Sequence, residues 1–236
     1  SPHTVPRLLL CLDFDLTLSK THLFRYVVDA INGGFSREQA LLRAIQIMNQ
    51  QGPKGGELLW VQLAQFLKQG HGLVVTSYTA FPELPIALLA QGIRPFRKLD
   101  AKRYTRWLSR PIIIYGNPAP RFNPPQVLPN TFLVPASGLD TRTAQGQEQE
   151  QMTQKQNSSD HSSLGKNLHI QEALRVLEAK GESFDQVILM DDDEYNLSQA
   201  QAMGVNIISV CKEAQSEQEE LAHLHELERL VKELSI

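Results

Sequence analysis

The chain has 236 residues, of which 42% are hydrophobic, and this length suits one substantial α/β domain with an insertion or two small domains. The formal net charge of −3 gives no electrostatic reason to expect nucleic acid or an anionic membrane as the main partner. No apolar run reaches membrane-spanning length, and the first residues lack the layout of a signal peptide. We therefore expect a soluble, cytoplasmic protein whose residues 1–236 form a single unit.

The sequence opens with a strand that ends in two acids. The run "LLLCLDFDLTLSK" is apolar up to Leu12 and short, which predicts a central strand of a parallel sheet, covered on both faces. Asp13 and Asp15 then lie at its carboxyl end, where ligands bind in open α/β sheets. Two like charges so close are costly without a cation or a shared proton, so a divalent metal is the first candidate.

Helical patterns follow over residues 18–71, which we interpret as a helical insertion that could act as a small cap. The segments "THLFRYVVDAI", "SREQALLRAIQIMNQ" and "ELLWVQLAQFLKQG" have apolar residues at helical spacing, with Ser36 as an N-cap and "GPKGG" as a break.

The run "HGLVVTSYT" predicts a second buried strand ending at Thr76 or Ser77. A helix is predicted in "PELPIALLAQGI".

The region 96–163 is interpreted as an irregular insertion. "PIIIYG" and "TFLVPA" are strand candidates, separated by a proline-rich stretch. Residues 144–163 have almost nothing apolar to bury, which favours a mobile loop or a solvated helix. The insertion is thus either a cap over a pocket or a wall beside an open cleft.

The last third alternates helix and strand. A helix begins near Lys166 and stops at Gly181, and "FDQVILMDDDEYNLSQAQAMGVNIISV" predicts strand, acidic turn, helix and strand. A final helix carries Leu221, Leu224, Leu227 and Leu234, which predict packing on its own domain, and we expect His223 and His225 on a solvated face. The whole pattern predicts a three-layer, doubly wound parallel α/β sheet of Rossmann type.

Chain reach brings distant residues together at one edge of this sheet. The helix from Lys166 runs about 22 Å, and the following strand returns about 18 Å in the opposite sense. Lys166 and residues 191–193 therefore meet at the edge where Asp13, Asp15 and Thr76 end other strands.

The cysteines do not suggest a nucleophile. Cys11 and Cys211 both adjoin apolar strand-like runs, which favours buried free thiols over a disulfide. A phosphatase loop with a cysteine nucleophile needs an arginine six positions later, but Thr17 and Glu217 occupy those positions.

Four ordered motifs resemble those of the haloacid dehalogenase superfamily of phosphohydrolases. They are "LDFDLTL", "LVVTSYT", the lysine of "LGKNLHI", and "VILMDDDEYN". The resemblance implies a core of that superfamily's type in which Asp13 is the nucleophile and Asp15 the general acid and base. It also implies that Thr76 and Lys166 contact the phosphoryl group, with Ser77 and Tyr78 beside them as substrate-binding residues.

The same resemblance implies a Mg²⁺ ion, a hard cation that takes carboxylate and carbonyl oxygens. Its expected ligands are Asp13, the backbone carbonyl of Asp15, and Asp192. Asp191 and Asn196 are expected to act through water or through hydrogen bonds to the ligands.

The sequence departs from the superfamily pattern in three places. Many members have glycine where Leu16 stands and an acid where Asn196 stands. The third-motif lysine is the least fixed position, and Lys102 and Lys155 are alternatives to Lys166.

Hydrolysis of a phosphomonoester is the favoured function, because the superfamily's phosphatases carry an acid at the position of Asp15. The alternatives are a phosphomutase, whose lid residues 18–71 would partly supply, and a catalytically silent module that binds phosphorylated partners. Other interpretations of the acids are helix-capping residues, a calcium-binding loop, or the acid cluster of a receiver domain. We expect the substrate to be a phosphoprotein, including phosphotyrosine, or a small phosphometabolite, and Tyr78, Phe81 and Tyr115 are candidates for an aromatic site.

Overall fold

A computed structural model describes residues 5–77, 81, 83–93 and 166–236, together with the backbone of 112–115 and 133–135. The rest of the predicted insertion 96–163, including its polar stretch 144–163, lies outside the described residues. Lys102, Lys155 and Tyr78 lie outside them too.

A six-stranded sheet in the order β4-β3-β2-β1-β5-β6 forms the centre of the described structure. Four adjacent strands, β2, β1, β5 and β6, are parallel, so the predicted Rossmann-like layered α/β class is confirmed at this level. The strands are β1 (Leu8–Leu12), β2 (Gly72–Thr76), β3 (Ile112–Tyr115), β4 (Leu133–Pro135), β5 (Gln186–Asp191) and β6 (Asn206–Ser209).

The two strands predicted inside the insertion form, but they do not continue the parallel sheet. β3 pairs antiparallel with β2, and β4 pairs antiparallel with β3. A short apolar run such as "IIIY" satisfies the sheet equally well in either direction, so composition alone does not specify the direction of the strand.

Seven helices belong to the described residues, and helices cover both faces of the sheet. They are α1 (Leu23–Asn32), α2 (Arg37–Gln51), α3 (Glu57–Lys68), α4 (Glu83–Gly92), α5 (Asn167–Ala179), α6 (Glu194–Ala202) and α7 (Glu217–Leu234). The predicted cap of α2 is confirmed as a capping box, in which Ser36 and Gln39 each bind the other's backbone N–H. None of these helices is both long and apolar enough to cross a membrane.

The central strand β1 divides the core in two because its side chains alternate between faces. Leu8, Leu10 and Leu12 join a cluster with helices α1 to α4 and α7, whereas Leu9 and Cys11 join a cluster with α5 and α6. Every residue of β1 is fully buried, as expected for a strand covered on both faces.

The helices of residues 18–71 pack directly on this core. Leu23 of α1, Leu41 of α2 and Leu63 of α3 are buried in the same cluster as Leu10 of the sheet. The segment therefore contributes one layer of the fold and shares its hydrophobic core.

Two predictions about burial were wrong at single residues. Cys11 is buried and free as expected, but Cys211 is free and exposed, because it lies beyond the end of β6. His225 is exposed as expected, but His223 is buried, since it lies one helical turn before Leu227 on the face of α7 that packs on the core. Burial lowers the pKa of His223 to about 4, so its imidazole is neutral at pH 7.

Because Leu10 is fully buried between two neighbouring strands, its truncation should be costly. We expect Leu10→Ala to lower the free energy of unfolding by about 2–5 kcal/mol. Leu42→Ala, at a side chain 55% exposed on α2, should change it by less than about 0.5 kcal/mol. Urea denaturation of both variants is the measurement, and equal midpoints would contradict the described burial.

Candidate metal and catalytic site

The parallel strands bring the predicted site residues to one edge of the sheet. β1 ends at Leu12, so Asp13 follows it directly, while Thr76 and Asp191 are the last residues of β2 and β5. The Asp13 N–H donates to the Met190 carbonyl at 3.0 Å, which extends the pairing of β1 with β5 by one step beyond the strand. Asp13 is thus held against the acidic turn after β5.

Three carboxylates converge at this edge. Asp13, Asp191 and Asp192 each present an oxygen within 4.8 Å of the others, and we name these residues the acidic triad. The Asp191 side chain is fully buried, whereas those of Asp13 and Asp192 are 14% and 10% exposed. Neighbouring charges at such distances in a poorly solvated place repel strongly.

This repulsion and burial favour the protonated forms of two members. Burial, then the charge of Asp13, raises the pKa of Asp191 to about 8. Burial and Asp13 likewise raise the pKa of Asp192 to about 6. A cation placed among the three oxygens would relieve the repulsion that adds to the effect of burial.

Asp191 belongs to the triad itself, although we expected it to act indirectly. Its Oδ1 accepts the Asp193 N–H at 2.9 Å and its Oδ2 accepts the Asn196 amide at 3.1 Å. Asn196 therefore orients a triad carboxylate, which a second acid at that position would repel. Asp193 has another function: its side chain accepts the Tyr195 and Asn196 N–H groups and caps α6.

Lys166 reaches the predicted nucleophile. Its Nζ lies 3.1 Å from Asp13 Oδ1 and donates to the Thr76 carbonyl at 2.7 Å. The lysine precedes α5 and its side chain is 8% exposed, so this ion pair is largely shielded from water. Among the described residues, it has the contacts expected of the third-motif lysine.

The residues at and after the end of β2 are more buried than we expected of residues that bind a ligand. Thr76 is fully buried, and its Oγ1 lies 3.5 Å from the Leu12 carbonyl, a long hydrogen bond that points it back into the sheet. Ser77 is 5% exposed. Phe81 is fully buried against Phe24 at 5.5 Å between ring centroids, so the prediction that it lines an aromatic site was wrong. It fills the core, where a large apolar ring is most stable.

Asp15 occupies a different part of the edge. Its Oδ1 accepts the Leu23 N–H at 2.7 Å and the Phe24 N–H at 3.3 Å, so it caps the start of α1. The helix-cap reading of the first acid pair is therefore correct for Asp15, whereas Asp13 contacts Lys166. Capping contributes about 1 kcal/mol and leaves the carboxylate partly accessible, with 17% of the side chain exposed.

Two contacts of the triad were not predicted. Thr17 Oγ1 donates to Asp192 Oδ1 at 3.0 Å and lies 3.4 Å from Asp13 Oδ2, so this buried hydroxyl joins two triad carboxylates. Lys212 Nζ lies 3.9 Å from Asp192 Oδ2. The position of Thr17 two residues after Asp15 was the available signal for the first contact, whereas nothing in the sequence near Lys212 indicated the second.

The donor set of the triad suits a hard divalent cation. Three carboxylates offer the oxygen ligands that Mg²⁺ prefers, and burial, followed by the charge of Asp13, raises the pKa values of Asp191 and Asp192. Lys166 supplies one positive charge, and its Nζ lies 3.1 Å from Asp13 Oδ1.

No protein-family model, curated protein or solved structure matches this chain.

The acidic triad predicts a stability that depends on pH and on Mg²⁺. The pKa values of Asp191 and Asp192 in the folded protein are about 8 and about 6, above the ordinary value near 3.9. Their contribution to the free energy of unfolding is therefore fully present below about pH 4 and is lost as the pH rises to about 8. Protein treated with EDTA should therefore become less stable over this range. Mg²⁺ at about 100 times its dissociation constant should restore about 2.7 kcal/mol, roughly 5–10 °C in Tm.

Thermal denaturation at pH 5 and pH 8, with Mg²⁺ and with EDTA, measures this effect. The Mg²⁺-induced rise in Tm should be larger at pH 8, and Asp191→Asn should reduce it. Glu178→Gln, on the exposed face of α5, is the matched control. A Tm that responds equally to Mg²⁺ in both variants would exclude the triad as the binding site.

Proposed function

We propose that the chain is a Mg²⁺-dependent phosphatase that hydrolyses a phosphomonoester through an aspartyl-phosphate on Asp13. The observation that supports this most strongly is the contact of the Lys166 ammonium with Asp13 beside two further carboxylates. The four sequence motifs that resemble the haloacid dehalogenase superfamily supply the same assignment by a separate route. A purely structural ion pair between Lys166 and Asp13 would not require Asp191 and Asp192 beside it, so the two further acids favour a catalytic role.

In the proposed first step, an Asp13 carboxylate oxygen forms a bond to phosphorus while the bond from phosphorus to the leaving oxygen breaks. Lys166 holds positive charge against Asp13 Oδ1 and reduces the repulsion between this carboxylate and a phosphate dianion. The Thr76 carbonyl accepts a hydrogen bond from the same ammonium and holds it in position, so the lysine side chain does not need to move during the reaction.

Asp15 is proposed to move the protons. As an acid it gives its proton to the leaving oxygen, and as a base it then takes a proton from water, whose oxygen attacks phosphorus and releases Asp13 and phosphate. The N–H groups of Leu23 and Phe24 donate to Oδ1 of Asp15 and fix the orientation of its carboxylate. Asp13 must be ionised when it attacks phosphorus, and the Lys166 ammonium lies 3.1 Å from its Oδ1.

Mg²⁺, when bound, would neutralise charge on the carboxylates and on the phosphoryl oxygens. Asp13, Asp192 and the Asp15 backbone carbonyl would hold it, as the resemblance implies, and the triad adds Asp191 as a further carboxylate in reach. Asn196 fixes the orientation of Asp191, and Thr17 that of Asp192.

Hydrolysis is favoured over the two alternatives by particular contacts. A phosphomutase needs a lid that excludes water, but the helices of residues 18–71 pack on the sheet as part of its core. A silent phosphate-binding module does not require an ion pair between Lys166 and the first acid. The substrate we propose is a phosphoprotein, phosphotyrosine included, or a small phosphometabolite.

Asp13→Asn should abolish metal-dependent turnover, because an amide is not a nucleophile toward phosphorus. We expect para-nitrophenyl phosphate hydrolysis to fall by at least about 10³-fold, and EDTA to remove the activity of the wild type. A phosphotyrosine peptide and a sugar phosphate, assayed in parallel, separate the two substrate classes by their rates. Asp13→Asn removes a repulsive charge, so it should fold, and activity equal to that of the wild type would exclude Asp13 as the nucleophile.

Lys166→Met should lower kcat by about 10²–10³-fold, because it removes the charge that stabilises the developing phosphoryl transition state. Lys180→Met, at the exposed C-terminal end of the same helix, should retain activity within about twofold. Steady-state kinetics of both variants is the measurement. Similar kcat values in the two would transfer the third-motif role to Lys102 or Lys155.

A further inference from the structure

The segment "GPKGG" between α2 and α3 does more than interrupt two helices. Its lysine, Lys54, is buried with only 3% of the residue exposed. Lysine is rarely buried unless its ammonium is fully bonded, because desolvating the charge is costly. That desolvation lowers the pKa of Lys54, and the fold retains the residue at this cost.

The Lys54 ammonium binds three backbone carbonyls from two separate parts of the chain. Nζ lies 2.5 Å from the Leu16 oxygen, 2.6 Å from that of Cys211 and 3.1 Å from that of Lys212. An ammonium has three N–H donors, so these contacts use its full capacity. One side chain thus joins the loop after β1 to the loop after β6.

The backbone around Lys54 is fixed to the same structures. The Lys54 N–H donates to the Leu18 carbonyl at 2.8 Å, and the Gly55 N–H donates to Glu220 Oε1 of α7 at 3.0 Å. Gly55 has φ +90°, and a Cβ there would lie 2.5 Å from a methyl carbon of Leu224. A side chain at position 55 would therefore be strained by the positive φ and would crowd Leu224, so glycine suits the packing of this segment on α7.

Leu16 is the residue that most needs this support. It is the sole non-glycine residue with positive φ, at 62°, in the part of the chain that the structure describes. Branched side chains rarely adopt this left-handed conformation, and it persists only where neighbours enforce it. Leu16 stands directly between Asp15 and Thr17, so its backbone sets the direction of both.

We propose that Lys54 is a positioning residue, which holds the loop of Asp13, Asp15 and Thr17 in its working geometry by binding the Leu16 carbonyl. The same ammonium also binds the Cys211 and Lys212 carbonyls, and the Lys212 side chain lies 3.9 Å from Asp192. The catalytic part of this inference rests on the proposed phosphatase function. The part that concerns the loop and its metal affinity does not depend on turnover.

Three measurements on Lys54→Met test the proposal, with Lys68→Met at the exposed end of α3 as the matched control. The first is hydrogen exchange of the Thr17, Leu18 and Ser19 amides, which all donate to the Phe14 carbonyl. The second is Mn²⁺ affinity by electron paramagnetic resonance. The third is kcat and KM for para-nitrophenyl phosphate with Mg²⁺.

We expect exchange of these loop amides to become at least tenfold faster, with β1 still protected. Mn²⁺ affinity should fall by about 10–100-fold, and kcat by a similar factor with little change in KM. Loop exchange and Mn²⁺ affinity within about twofold of the control would overturn the proposal. Equally faster exchange in β1 would also overturn it, since Lys54 would then serve only the stability of the fold.

A second pair of variants tests whether Lys54 acts through Leu16. Glycine adopts positive φ without strain, so the loop of Leu16→Gly should need the lysine less. The loss of Mn²⁺ affinity caused by Lys54→Met should be at least threefold smaller in that background, and an equal loss would exclude the link. If Lys54→Met does not fold, Lys54→Gln takes its place in every measurement. The glutamine amide retains two N–H donors but not the positive charge.

Failure of the proposed function is distinguishable from failure of this inference. A wild type without phosphatase activity would remove the kinetic readout alone, and hydrogen exchange with Mn²⁺ affinity would still decide the role of Lys54. A wild type that also binds no Mn²⁺ leaves the exchange of the loop amides as the deciding measurement.

Discussion

The arrangement of this site depends on the parallel pairing of β1 with β5. This pairing places Asp13 directly against the turn that carries Asp191 and Asp192, and so concentrates negative charge where the strands end. A stable fold would avoid that concentration unless something compensates it. Lys166 and Lys212 place positive charge beside Asp13 and Asp192, and the convergence of three carboxylates is the physical reason to propose a cation at this edge.

Around the triad, neutral donors orient the acids without cancelling their charge. Thr17 binds Asp192, Asn196 binds Asp191, and backbone N–H groups hold Asp15. Each of these hydrogen bonds orients a carboxyl group without adding a positive charge. Two buried lysines of the described residues make different contacts. Lys166 binds Asp13 and the Thr76 carbonyl, whereas Lys54 binds backbone carbonyls, among them that of Leu16 in the loop that bears the acids.

Local sequence patterns were reliable wherever a single element determines the outcome. The apolar run of β1, the capping box at Ser36 and the acidic turn after β5 all form as predicted, since each depends on near neighbours. The predictions failed where distant contacts decide. Phe81 packs in the core beside Phe24. His223 is buried because α7 packs on residues that lie far away in the sequence.

The sequence by itself determined the layered α/β class and the edge at which the acids collect, and it offered Lys166 as one of three candidate lysines. These follow from periodicity and from the lengths of helix and strand, which need no knowledge of packing. Only the tertiary structure decided the antiparallel direction of β3 and β4, the inclusion of Asp191 in the triad, and the clamp formed by Lys54. The clamp joins residues up to 158 positions apart, and such contacts are selected by the whole fold.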